Sequence, residues 1–268
     1  MAAKAGIIDF HTHTFPDSLA PRAMAKLVRQ TPAMRNVLNG TREALRESMR
    51  TSGISVSVML PIATKPSHVQ PIIDDAVTVN SPDLIAFGAL HPLDTDFTAR
   101  VAFMHRRGIK GIKLHPEYQN FTIDDRALYP AYEALEAAGL IVVFHAGNDP
   151  GPFSNTHSLP AHIARVGQAF PRLRIVAAHM GGYRTWDEAE RYLCGTDIFF
   201  DTAAVHDAMP PELFLRIARS HGTEKILFGS DSPWFDQHRC VEWVDSLPLS
   251  EAEKERVFSQ NARALLGI

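Results

Sequence analysis

Gly139-Leu140-Ile141-Val142-Val143-Phe144-His145 is the stretch from which the fold can be read. Its five apolar residues are too few for a globular helix, and three of them are β-branched, which suits a strand buried on both faces. The run ends in a histidine. On its N-terminal side, residues 126–138 have helical period: Leu128, Tyr132 and Leu135 share a face, and Gly139 stops the helix. The unit is therefore an amphipathic helix, a glycine stop, an apolar strand and an ionisable residue at the strand end.

Outward from that unit, similar strand runs are predicted at 6–11, 54–62, 84–91, 109–115, 174–179, 198–203 and 225–230, which makes eight with 140–145. Strands alternating with helical segments imply right-handed βαβ units and a parallel sheet. Eight units in a chain of 268 residues, with no break in composition, predict an α/β fold of the closed (β/α)₈ TIM-barrel type in a single domain, 1–268. Helical sequence is also predicted over about 19–50. The segment 14–52 is long for one crossover and predicts an extra helix or flap over the barrel mouth.

Composition narrows the function classes. A formal net charge of -3 gives no field that would gather nucleic acid or an anionic membrane surface, so a small-molecule substrate is the expected partner, with a homo-oligomer left open. Cys194 and Cys240 are the two cysteines and are widely separated, which predicts free thiols and excludes a cysteine-based zinc knuckle. The N-terminal Met-Ala-Ala-Lys-Ala-Gly leads directly into the first strand, leaving no room for a signal peptide, and no apolar run reaches membrane-spanning length. A cytoplasmic location is the expectation.

In a parallel barrel the C-terminal ends of the strands converge on one bowl, so the position of polar residues matters more than their number. Strand one ends in His11-Thr12-His13, strand three in His91, strand four in Lys113-Leu114-His115, strand five in His145, strand six in His179 and strand eight in Asp231. His11 and His13 are two apart on a strand and point to one face. His145, His179 and Asp231 each close an apolar run, where an unpaired polar group is costly but a metal ligand is compensated. Imidazole nitrogens with a carboxylate and no thiolate favour a divalent zinc, manganese, iron or nickel ion over calcium or magnesium, with zinc the first expectation.

Five motifs carry a family resemblance: Ile-Asp-Phe-His-Thr-His at 8–13, Gly-Ile-Lys-Leu-His-Pro at 111–116, Phe-His-Ala-Gly at 144–147, Ala-His-Met-Gly-Gly at 178–182 and Phe-Gly-Ser-Asp-Ser-Pro-Trp at 228–234. Together they resemble the amidohydrolase superfamily, in its amidohydrolase-2 branch, which includes aminocarboxymuconate semialdehyde decarboxylase and pyrone-dicarboxylate lactonase. The resemblance implies metal ligation by His11, His13, His145 and Asp231, with His179 either polarising the substrate or holding a second metal. Where many binuclear members carry a carboxylated lysine or a glutamate at the end of strand four, this chain offers Lys113 and His115. Lys113 is read either as a carboxylated bridge or as an ammonium that pairs with a carboxylate or binds substrate, and one metal ion is expected rather than two.

The chemistry expected of such a site is hydrolysis of a C–O or C–N bond by metal-activated water, with Asp231 moving the proton and His179 stabilising the oxyanion or orienting the water. Non-oxidative decarboxylation of an aromatic or unsaturated acid uses the same residues. A barrel that binds metal without catalysis is the third reading. Lys113, His115 and Trp234 are expected substrate contacts, while His157 and His206, in predicted loops, are either substrate contacts or solvated loop residues.

Overall fold

The computed structural model describes residues 6–32 and 34–268. Eight parallel strands form the wall: β1 (Ile7–Thr12), β2 (Ile54–Met59), β3 (Leu84–Ala86, continued by Gly88–Ala89), β4 (Gly111–Leu114), β5 (Ile141–Phe144), β6 (Arg174–Ala177), β7 (Phe199–Asp201) and β8 (Ile226–Leu227). Leu84–Ala86 pairs with β2 and Gly88–Ala89 pairs with β4. The ladder is interrupted at Phe87, a fully buried side chain among the barrel-interior residues. Gly88 beside it packs tightly, since a Cβ there would lie 2.3 Å from the Met104 sulfur and the methionine would have to shift. The wall closes where Phe10 N–H donates to Phe228 O (2.8 Å) and Asp231 N–H donates to His11 O (2.8 Å). All eight predicted strands are present in the expected order; β1 is shifted by one residue and the others are shorter than predicted.

Alternation along each strand sorts the apolar residues into two layers. On β5, Ile141 and Val143 join Ile8, Phe10, Val58 and Leu227 inside the barrel, whereas Val142 and Phe144 pack outward against the helices. The C-terminal helix Asn261–Leu266 adds Ala262, Leu265 and Leu266 to the interior cluster. It closes the end where the strands begin, since Arg174, the first residue of β6, donates to Leu265 O (3.2 Å). That end is filled with side chains, and the opposite end is left for a cavity.

The helical sequence over 19–50 forms two helices, Ala20–Gln30 and Arg42–Ser52. Pro32 has no N–H to continue the first and disfavours helical backbone at Thr31. The second restarts after Gly40 (φ +81°), with the Thr41 hydroxyl accepting from Ala44 N. The helix predicted at 126–138 forms as a 3-10 turn, Arg126–Leu128, running into Tyr129–Ala138. Leu128, Tyr132 and Leu135 are buried, and Gly139 takes the left-handed C-cap (φ 65°). Among the described residues no helix is long and apolar enough to cross a membrane, and both cysteines are free thiols.

Candidate metal centre and its cavity

At the C-terminal ends of the strands lies a cavity of about 1030 Å³. Its floor holds His11, His13, Lys113, His145, His179 and Asp231, and its walls carry Phe15, Leu27, Tyr118, Tyr183, Trp234 and Phe235. An apolar cavity with a few convergent polar groups is the usual form of a small-molecule site. The strand ends supply those groups because each strand hands its next residue to the same bowl.

Three of the four residues expected to hold a metal meet directly. His13 Nε2 lies 3.1 Å and His11 Nε2 3.5 Å from Asp231 Oδ1, and the three donor atoms fall within 4.8 Å of one another. His145 is reached through His179, whose Nε2 is 3.0 Å from His145 Nδ1. His179 also has its ring centroid 5.2 Å from that of His11. His179 thus stands between His145 and the triad.

The outer nitrogens of these rings show what the inner ones can do. His13 Nδ1 donates to Leu60 O (2.8 Å), His179 Nδ1 to Ala203 O (2.9 Å) and His145 Nε2 to Asn148 O (3.2 Å), and a carbonyl can only accept. His11 Nδ1 faces Asp201 Oδ2 at 2.8 Å, the carboxylate-on-histidine arrangement that orients a ligating imidazole. In the neutral rings the inward atoms are then bare lone pairs: Nε2 of His11, His13 and His179, and Nδ1 of His145. Burial holds His11 and His145 well below the usual histidine range, so these two are neutral. Lone pair faces lone pair at His145–His179 and at His13–Asp231, an arrangement that a shared cation satisfies. The donor set therefore fits a divalent metal ion.

Burial alone would raise the Asp231 carboxyl, but its contacts with His13, His11 and His179 hold it down at about 2. Lys113 is fully buried on β4, where Ile112 and Leu114 face outward and the lysine faces in. Burial lowers its ammonium to about 8 against the pull of Asp201, Asp231 and Asp149, and its Nζ lies 3.3 Å from His11 Nε2. His115 lines the same cavity, stacks on His145 (4.1 Å between ring centroids) and pairs through Nε2 with Asp149 at 3.3 Å. Trp234 and His206 also line the cavity, and His206 Nε2 lies 3.0 Å from Asp207.

Two histidines named by position do other work. His91 is buried outside the cavity lining, and its Nδ1 accepts from Leu93 N (3.2 Å) in the turn after β3. His157 faces buried Glu117 at 3.6 Å, while Glu117 accepts from His157 N (3.0 Å), which ties the β5 loop to the β4 loop. Asp201 and Asp149 escaped the sequence reading. Asp201 closes the apolar run Ile198-Phe199-Phe200 as Asp231 closes its own, a signal that was available; it also accepts from His179 N (2.8 Å).

Backbone strain gathers here: among the described residues, five of the seven non-glycine residues at positive φ, His179 (60°), Met180 (54°), Arg184 (56°), Ala204 (59°) and Asp231 (66°), follow β6, β7 or β8. Such conformations concentrate at functional sites, where the surrounding fold holds them.

The amidohydrolase family profile matches residues 8–268, which takes in the whole barrel wall except Ile7 at the start of β1. The chain belongs to the amidohydrolase family. A curated relative, the decarboxylase orsB of Emericella nidulans, is 24% identical over 181 residues, covering 59% of this chain and 52% of that protein. The match thus spans about half the length of that relative. Among solved structures, an uncharacterised TIM-barrel protein from Bordetella bronchiseptica superposes with a TM-score of 0.76 at 22% identity, covering 97% of this amidohydrolase and 98% of the other chain. A dihydroxybenzoic acid decarboxylase from Polaromonas sp. JS666, with bound manganese and 2-nitroresorcinol, gives 0.76 at 16% identity over 98% and 97% of the two chains. A candidate 2-pyrone-4,6-dicarboxylic acid hydrolase from Pseudomonas putida gives 0.70 at 20% identity over 98% and 97%. These likenesses establish the TIM-barrel fold of this amidohydrolase.

Proposed function

We propose that the chain is a divalent-metal-dependent hydrolase that cleaves a C–O or C–N bond in a small carboxylate-bearing substrate, with His11, His13, His145 and Asp231 as the metal ligands. The observation that carries this reading is the set of inward lone pairs, each fixed by an outer hydrogen bond, gathered around an ionised Asp231. A bound zinc ion, or manganese, iron or nickel, would supply Lewis-acid activation of water and of a substrate oxygen. Asp231, ionised at neutral pH, accepts the proton of the attacking water and returns it to the leaving atom. His179 Nε2 orients the water or, when protonated, stabilises the developing oxyanion. Lys113 and His115 hold the substrate carboxylate, and Trp234 packs on its body. Small-molecule turnover is the whole of the proposed partnership, with no nucleic acid or membrane surface involved.

Non-oxidative decarboxylation is the second reading. It is favoured by Lys113, a buried proton-bearing group beside His11, and by the decarboxylase names among the similar proteins. The test loads the chelator-stripped protein with zinc or manganese, measures bound metal by elemental analysis, and assays a panel of lactones and amides beside dihydroxybenzoates for released carbon dioxide. Metal-restored hydrolysis supports the first reading. Metal-restored carbon dioxide release without hydrolysis replaces it with the second, and a protein that retains no metal sinks both.

A further inference from the structure

Asp9 is a buried acid that the proposed chemistry leaves unused. It lies two residues before His11 on β1, fully buried and outside the cavity lining. Its neighbours Ile8 and Phe10 belong to the barrel-interior cluster, so strand alternation turns Asp9 outward, toward the helix Gln237–Ser246. An ionised carboxylate there is costly unless its lone pairs are filled. Four donors fill them. Oδ1 accepts from His11 N (3.2 Å) and Ser230 N (3.0 Å), and Oδ2 accepts from Ser230 Oγ (2.5 Å) and Gln237 Nε2 (2.7 Å). Every partner donates, a set that an ionised carboxylate can accept in full and a side-chain amide cannot.

These bonds reach both segments that carry the triad. The register of β1 with β2 shifts between Asp9 and Thr12, and there the Asp9 carboxylate takes the His11 N–H. An irregularity of this kind re-aims a side chain: Phe10 faces the barrel interior, yet His11, the next residue, lines the cavity floor. After β8, Ser230 is gripped through both N and Oγ, and its Oγ accepts in turn from Ser232 N (3.0 Å). Asp231 therefore sits at φ 66° between two residues tied to Asp9. Backbone bonds complete the seam, from Asp231 N to His11 O (2.8 Å) and from His13 N to Ser232 O (2.6 Å). Asp201 does a different job, holding the ring of His11 from β7.

We propose that Asp9 is a positioning residue. Its carboxylate clamps the end of β1 to the turn after β8 and so sets the approach of His11 Nε2 to Asp231 Oδ1, 3.5 Å here, for metal binding. The inference rests on His11 and Asp231 as ligands, and its test separates the two.

Wild type, Asp9→Asn, Ser230→Ala and Gln237→Met are stripped of metal. Cobalt(II) affinity is then measured by chelator competition, beside the visible absorption of the bound ion and urea unfolding of the metal-free protein. Asp9→Asn keeps the shape but turns an amide N–H₂ on two donors. It should bind cobalt about tenfold more weakly, with altered absorption bands. Ser230→Ala keeps the charge and loses one strand link, so a smaller loss of the same kind is expected. Gln237→Met removes the helix bond alone and should lower stability while leaving affinity and absorption as in wild type. The proposal is overturned if folded Asp9→Asn loses only stability and binds cobalt as wild type does. It is overturned too if Gln237→Met weakens cobalt as much as Asp9→Asn, since lost stability then explains both. Should Asp9→Asn fail to fold, Ser230→Ala decides, and wild-type affinity and absorption in that variant sink the clamp. If wild type itself retains no cobalt, the ligand assignment falls and takes this inference with it.

Discussion

Two walls of the same cavity are built differently. The wall from the ends of β5 to β8 is pinned by backbone: Tyr183 bonds to both flanks of Gly147, and His179, Arg184, Ala204 and Asp231 hold positive φ. The other wall is the helix Ala20–Gln30, of whose residues only Ala20 and Met24 are buried. Met24 and Leu27 face the cavity, while Pro21, Ala25 and Val28 line a smaller hollow behind. A helix with hollows on both sides has little packing to hold it, whereas a strand end is held by its neighbours on both sides. Chemistry that needs atoms fixed to fractions of an ångström belongs on the first wall, and substrate choice and access belong on the second.

The largest test of that division is at Asp231. Asp231→Asn keeps the shape but removes the charge and the proton acceptor, and kcat/KM is expected to fall about 10³-fold with circular dichroism unchanged. An active, metal-loaded variant would break the assignment of chemistry to the pinned wall.

The pinning itself is tested by Gly147→Ala, which places a Cβ against Tyr183 N in a left-handed conformation. A loss of about 2–4 kcal/mol in stability, read from urea unfolding, is expected. A near-neutral result would show that the β5 and β6 loops are free to separate.

A third test lies beneath the pinned wall, where His221 stacks on Phe200 of β7 at 3.9 Å between ring centroids. Burial lowers its folded pKa to about 4 from an ordinary 6.5. Because the folded value is depressed, this stability is complete above about pH 6.5 and is lost as pH falls toward 4, by up to about 3 kcal/mol. His221→Phe keeps the stack and should show a smaller fall in Tm between pH 7 and 5 than wild type. An equal fall would place the acid sensitivity elsewhere.

The smallest effect belongs to the loose wall. Leu27→Ala should cost under about 1 kcal/mol in stability, since the side chain is only half-buried. It should raise KM while leaving kcat close to wild type. A collapse in kcat instead would mean that this helix positions the reacting atoms, and the contrast between the walls would fail.

Much of this was legible beforehand, for reasons particular to each residue. His145, His179 and Asp231 stood out because each ends an apolar run that a buried strand requires. Asp201 carried the same signal and was passed over beside its histidine-rich neighbours. His91 satisfied the positional rule yet turned out to cap its own turn, because where a strand end points depends on the loop after it. The helical sequence over 19–50 is divided at Pro32 and Gly40, where local backbone chemistry interrupts the helical pattern.

The sequence by itself determined the eight-strand order, the ionisable residues at the strand ends and the absence of any large net charge. Those follow from local periodicity and from side-chain chemistry, which need no knowledge of what lies opposite. Only the tertiary structure decided that His179 stands between His145 and the triad, that outer hydrogen bonds turn the free lone pairs inward, and that Asp9 joins the segments carrying His11 and Asp231. Each of these is a relation between strands far apart in the chain, and such relations exist only once the barrel has closed.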